Sequence, residues 1–164
     1  MTIPNATLSA IVACAALVPA SSRLPAQAPA PLQPADFTMA GLHEGIDSAT
    51  IAKQLGKPDS VVIDDASEFD PGAKLVTWVY PHFAVLFFSG AHVVGIDTQD
   101  PTILTARGLR VGDSFARLTR LYGQASGAGE GEYDYEDPHD HLHLMRVTIE
   151  HGRVTRIYVG RVLD

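Results

Sequence analysis

The feature that most constrains this chain is an internal match. Gly41–Pro58 (GLHEGIDSATIAKQLGKP) lies under Gly108–Ala125 (GLRVGDSFARLTRLYGQA) without a gap, 67 residues apart. Gly41/Gly108, Leu42/Leu109, Gly45/Gly112, Ala49/Ala116 and Gly56/Gly123 are identical, and Lys53/Arg120 and Ile51/Leu118 are similar in kind. A second block, Phe88–Ile96, meets Ile149–Ile157 at an offset of 61. Self-similarity of this kind reads as a small unit that cannot bury its apolar face alone and completes it against a neighbouring copy.

Each block has a local reading. Asp47 and Ser114 can cap helices by accepting from backbone N–H groups. The helices that follow span Ser48–Leu55 and Phe115–Tyr122. Ile51 and Leu55, and Phe115, Leu118, Leu121 and Tyr122, form their apolar stripes. Gly56 and Gly123 stand just past the ends, where a left-handed residue is wanted. Strands are expected at Ser60–Asp64, Lys74–Tyr80, Ala84–Phe88, His92–Thr98, Gly131–Glu136, Leu142–Ile149 and Arg153–Gly160, with hairpin turns at Gly90-Ala91 and His151-Gly152. The expected class is α+β: a duplicated helix-plus-antiparallel-meander unit, residues 36–101 and 102–164. Its two short helices would lie on one face of a shared antiparallel sheet.

The N-terminus reads as a targeting segment. Leu8–Ala20 (LSAIVACAALVPA) is small and apolar, like the core of a secretory signal, though no Lys or Arg precedes it. Ala26-Gln27-Ala28 offers a cleavage site, giving a signal over residues 1–28, and Val18-Pro19-Ala20 offers another. Periplasmic or secreted localisation follows. Ile11-Val12-Ala13-Cys14 gives the alternative of a lipoprotein anchored through Cys14, although the stretch before it is short and polar. Residues 29–35, rich in Pro and Ala, read as an extended tether. A chain starting at Pro29 loses only Arg23 from the charge count; 11 basic against 19 acidic residues leave −8 and no cysteine. That balance argues against nucleic acid, and no apolar run reaches the roughly 18–20 residues that span a bilayer.

The string Gly-Leu-x-x-Gly-x-[Asp/Ser], then Ile/Leu-x-x-x-Leu/Tyr-Gly and strands with a turn glycine, resembles two related groups. One is the SmpA/BamE-like small outer-membrane assembly lipoproteins; the other is the β-lactamase-inhibitor-protein-like fold, a tandem duplication of such a unit. The resemblance covers roughly residues 36–160. It implies a non-enzymatic protein that binds partners through its sheet or loops, and it carries no binding residue over.

Two segments could carry binding. Phe83, Val85 and Phe87 alternate with Ala84, Leu86 and Phe88, and Trp78 and Tyr80 lie on the neighbouring strand. A strand apolar on both sides needs cover on both. With helices on one side, the other is a candidate contact surface for another protein of the envelope or exterior, with Trp78, Tyr80, Phe83, Val85 and Phe87 as anchors. The second segment is Gly129–His143. Six acids fall within Glu130–Asp140, and His139, His141 and His143 follow at spacing two. On a strand such residues share a face, so with Asp137 or Asp140 they are candidate ligands for a divalent metal. The competing reading is a solvated hairpin tip whose like charges prevent edge pairing. Parity adds that His143, in step with Met145, Val147 and Ile149, belongs to the apolar face. No Gly-x-Ser-x-Gly or placed nucleophile set is present, so no enzyme and no cofactor are expected.

Overall fold

A computed structural model describes residues 28–89 and 91–162. Of the expected signal over residues 1–28, residues 1–27, Cys14 included, lie outside the described residues. A one-turn 3-10 helix over Pro34–Asp36 precedes helix α1 (Ser48–Leu55) and strands β1 (Ser60–Asp65), β2 (Lys74–Val79), β3 (Ala84–Phe88) and β4 (His92–Thr98). Helix α2 (Phe115–Tyr122) follows, then β5 (Gly127–Gly129), β6 (Glu132–Asp137), β7 (Asp140–Glu150) and β8 (Arg153–Arg161). All strands join one antiparallel sheet in the order β1-β2-β3-β4-β8-β7-β6-β5.

Both helices occupy the spans that caps and spacing predict. Asp47 Oδ1 accepts from the Thr50 N–H at 2.8 Å, and Ser114 Oγ accepts from the Arg117 N–H at 3.2 Å. Gly56 and Gly123 close the helices at φ of 77° and 83°, which L side chains resist. The turns before the helices are stitched to the central strands. The Gly45 N–H donates to the Val93 carbonyl and the Gly112 N–H to the Val154 carbonyl, each at 2.8 Å. Ile51, Leu118 and Tyr122 thereby join a single buried cluster with Val85, Phe87, Val93, Ile96, Met145, Val147, Ile157 and Val159.

The α+β, duplicated-unit expectation is corrected here. The molecule is mostly β: one eight-stranded sheet with two eight-residue helices. The physical reason is that what the two sequence blocks share is mainly glycines, with capping residues at matching positions, and these start and stop a helix but set no class. A two-turn helix buries little, whereas eight strands hydrogen-bonded edge to edge around one core dominate the architecture.

The sheet is bent by bulges in its central strands. Leu86 pairs with Gly95 but Phe87 with Val93, leaving Val94 extra; Thr148 pairs with Arg156 but Ile149 with Val154, leaving Thr155 extra. Bulges of this kind bend a strand and increase its twist. The Pro/Ala segment expected as a tether is tied down. Arg107 donates to the Ala30, Leu121 and Pro31 carbonyls at 2.9, 2.9 and 2.8 Å and pairs with Asp36. Among the described residues, no helix is long and apolar enough to cross a membrane.

Candidate functional site

The helix-free face of the sheet carries a groove of about 380 Å³. Strand parity builds it. Ile96 and Val159, opposite each other in the ladder, point into the core, so Asp97 and Tyr158 point away from the helices. By the same alternation Leu144, Arg146 and Thr148 of β7 and Leu75 of β2 stand on the free face. Phe69, in the connection from β1 to β2, completes the lining. Leu75 and Leu144 belong to strands four spacings apart in the sheet order, about 19 Å on a flat sheet. One groove touching both means that this face is concave.

Its floor is apolar and aromatic; its rim carries Glu132 and three arginines, each arginine held by a carboxylate. Arg146 grips Asp134 through two bonds of 2.8 Å. Arg156 Nε donates to both Asp97 oxygens at 2.9 and 3.0 Å. Arg161 bridges Glu44 at 2.8 Å and Asp140 at 2.7 Å. Paired guanidinium groups of this kind keep a fixed orientation and leave some donors for a visitor. Tyr158 donates to the Arg161 carbonyl at 2.8 Å, and burial pushes its phenol up to about 12. Its ring lies against Gly95, where an added Cβ would stand 2.5 Å from it. The arrangement supplies shape, apolar area and oriented charged groups.

The expected aromatic anchors are brought together on the other face. Val85 and Phe87 are buried in the core, with Trp78 half-buried against Phe87 at 4.7 Å between ring centroids. Tyr80 is buried, donating to the Gly56 carbonyl at 3.2 Å, and Phe83 packs 5.5 Å from its ring. Trp78, Tyr80, Phe83, Val85 and Phe87 are thus helix-side packing, not residues of the helix-free face on which the sequence places them. The free face of these strands shows Leu75, Thr77, Val79, Ala84, Leu86 and Phe88 instead.

The histidine segment does not converge. His139 is exposed in the β6–β7 turn, its backbone N–H on Asp137 at 2.8 Å. His141 projects into solvent, with Nδ1 3.2 Å from Glu136. His143 is turned inward, as its parity indicates, against the Phe37 ring at 5.0 Å and between Asp137 at 3.6 Å and Glu44 at 3.7 Å. Among the described residues no group of three or more His, Cys, Asp and Glu could hold a metal ion. The ligand set His139, His141, His143 and Asp137 is therefore not assembled.

Sequence reasoning passed over Arg146, Thr148, Arg156 and Tyr158. Their signal was present: they alternate with Met145, Val147, Ile157 and Val159 at the period of a half-buried strand.

No protein-family model and no curated protein matches the chain. A solved structure similar in fold is that of an extracellular protein containing an SCP domain from Bacillus anthracis. It has a TM-score of 0.55 and 9% identity, with 71% of this chain and 43% of that chain covered. The chain thus spans less than half the length of that protein. At this identity the likeness concerns fold alone. With the single mostly-β sheet, it overturns the expected resemblance to SmpA/BamE-like and β-lactamase-inhibitor-protein-like domains.

Proposed function

We propose that the chain is an exported, non-catalytic protein-binding module whose concave helix-free face takes a protruding loop of a partner protein. The observation that carries the reading is the groove itself: Leu75, Leu144, Tyr158 and Phe69 around an apolar floor, with oriented arginines at its rim. An apolar centre ringed by polar groups is the usual layout of a protein interface, the centre supplying affinity and the rim orientation. The partner loop suited to it has an apolar tip flanked by carboxylate or carbonyl acceptors for Arg146, Arg156 and Arg161. The signal-like Leu8–Ala20 segment supports export, as does the extracellular setting of the fold neighbour.

Site-specific crosslinking tests it. A photoreactive phenylalanine analogue replaces Phe69 at the groove, or Phe115 on α2 at the opposite side, in cells of the producing organism. One defined protein adduct from position 69 and none from position 115, lost when Thr148→Trp fills the groove, is expected. Adducts from position 115 alone, or none from 69, refute the reading.

A further inference from the structure

The sheet's two margins are unlike. β5 at one margin has three residues, Gly-Ala-Gly. β1 at the other has six, Ser60–Asp65, and all are exposed: Val61 by 51%, Val62 by 45% and Ile63 by 59%. Three neighbouring β-branched side chains in solvent on an edge strand are what folded proteins usually avoid.

The hydrogen-bond phase of β1 can be read from its surroundings. The Ser89 N–H donates to the Lys74 carbonyl at 2.7 Å, in register with the Leu75–Phe88 pair, which assigns Lys74, Val76 and Trp78 to bonding with β3. Leu75, Thr77 and Val79 are then left for β1, where they face Asp64, Val62 and Ser60. The Ala66 N–H, bonded to the Ala73 carbonyl at 3.0 Å, continues that phase. Val61, Ile63 and Asp65 consequently aim their backbone N–H and carbonyl groups outward, and among the described residues β1 pairs with β2 alone.

Charge selects the occupant. Asp64 and Asp65 within the strand and Asp59, Glu68 and Asp70 beside it stand against Lys57 and Lys74. A second copy would lay this acidic margin, five carboxylates to two lysines, against itself, which like charges oppose. We propose that β1 is a strand-addition site for an extended segment of another protein, apolar or β-branched at alternate positions and carrying Lys or Arg at its ends. This site is separate from the groove and does not depend on it.

The probe is a short synthetic peptide of alternating valine and threonine with lysines at both ends. The readout is amide hydrogen exchange, residue by residue, on the unmodified protein. The Val61, Ile63 and Asp65 amides should exchange freely alone and slow about tenfold or more with saturating peptide, as new backbone bonds form. The same peptide with glutamates at its ends should fail. Ile63→Pro removes an outward N–H without touching a bond to β2 and should weaken binding about tenfold, with an unchanged circular dichroism spectrum. Three results overturn the proposal: no protection at these amides, equal binding of the glutamate-ended peptide, or protection that rises with protein concentration alone together with a dimer in sedimentation. The exchange result decides even where Ile63→Pro folds poorly.

Discussion

Arg107→Ala should unfasten the N-terminal segment and cost the molecule a measurable share of its stability. The side chain is 14% exposed and its partner Asp36 15%. Its guanidinium also donates to the Ala30, Pro31 and Leu121 carbonyls and lies 5.4 Å from the centroid of the Tyr122 ring. Breaking a fully buried pair by removing one member costs about 3–5 kcal/mol, and an exposed pair about 0–1. With one-seventh exposure on each side, about 2–4 kcal/mol is expected. For a body of this size that lowers the melting temperature by roughly 10 °C. The pH dependence supplies a second reading. The hydrogen bond from Arg107 holds the Asp36 carboxyl below its usual range. A depressed carboxylate contributes stability that is present above the ordinary value near pH 3.9 and is lost as pH falls through the folded-state value. The gap between wild type and Asp36→Asn in urea unfolding should therefore be full at pH 7 and shrink below about pH 4. A gap for Arg107→Ala below about 0.5 kcal/mol at pH 7 would refute the clamp. A gap for Asp36→Asn that stays constant into strong acid would refute the role given to the ion pair.

Two further outcomes follow from the centre of the sheet. At Gly95 an added Cβ meets the Tyr158 ring at 2.5 Å, whereas at Gly160 it meets the Val94 carbonyl oxygen at 2.2 Å. Gly95→Ala should cost about 1–3 kcal/mol and be relieved in part by Tyr158→Leu, while Gly160→Ala, which strikes backbone, should not be relieved; equal rescue of both by the double variants in urea melts would contradict this geometry. In alkaline spectrophotometric titration Tyr135 and Tyr158 should ionise late, because burial pushes each up to about 12. Raised folded-state values mean that their contribution is complete below pH 10 and lost as pH rises toward 12, so unfolding in that window should accompany their ionisation; all five tyrosines of the chain titrating together near 10 in the folded state would contradict it.

How much of this was legible depends on the range of each interaction. Helix ends were readable because Asp47, Ser114, Gly56 and Gly123 act on backbone a few residues away. The fold class was not, because those same four residues say nothing about how many strands pair. β5 carries no strand signal in Gly-Ala-Gly; it forms because the Ser126 backbone and hydroxyl both donate to the Asp134 carbonyl at 2.8 Å and bring the segment alongside β6. The facing of β3 is not legible in its own sequence because a strand apolar on both sides has no alternation. Its phase is set by β4, where Asp97 beside Ile96 marks the solvent side, and the extra Val94 hides that phase from simple counting. The Arg107 clamp joins residues 71 apart and leaves no mark in local pattern.

The groove and the open edge meet at one connection. Residues 66–73 leave β1, place Phe69 at the groove wall and return as β2. A strand added to β1 would lengthen the sheet on the side where Phe69 stands, so an extended ligand at the edge and a loop in the groove would be neighbours across this connection. Nothing in the core must open for either event, since Val85, Phe87, Val93 and Ile96 are covered by the helix side. On the proposed reading the two faces divide the work: the helix side buries the apolar area that folding requires, and the concave side, its rim arginines already paired, is left for a partner without loss of the fold. Replacing Phe69 should then disturb groove binding while leaving the Val61, Ile63 and Asp65 amides open to strand addition.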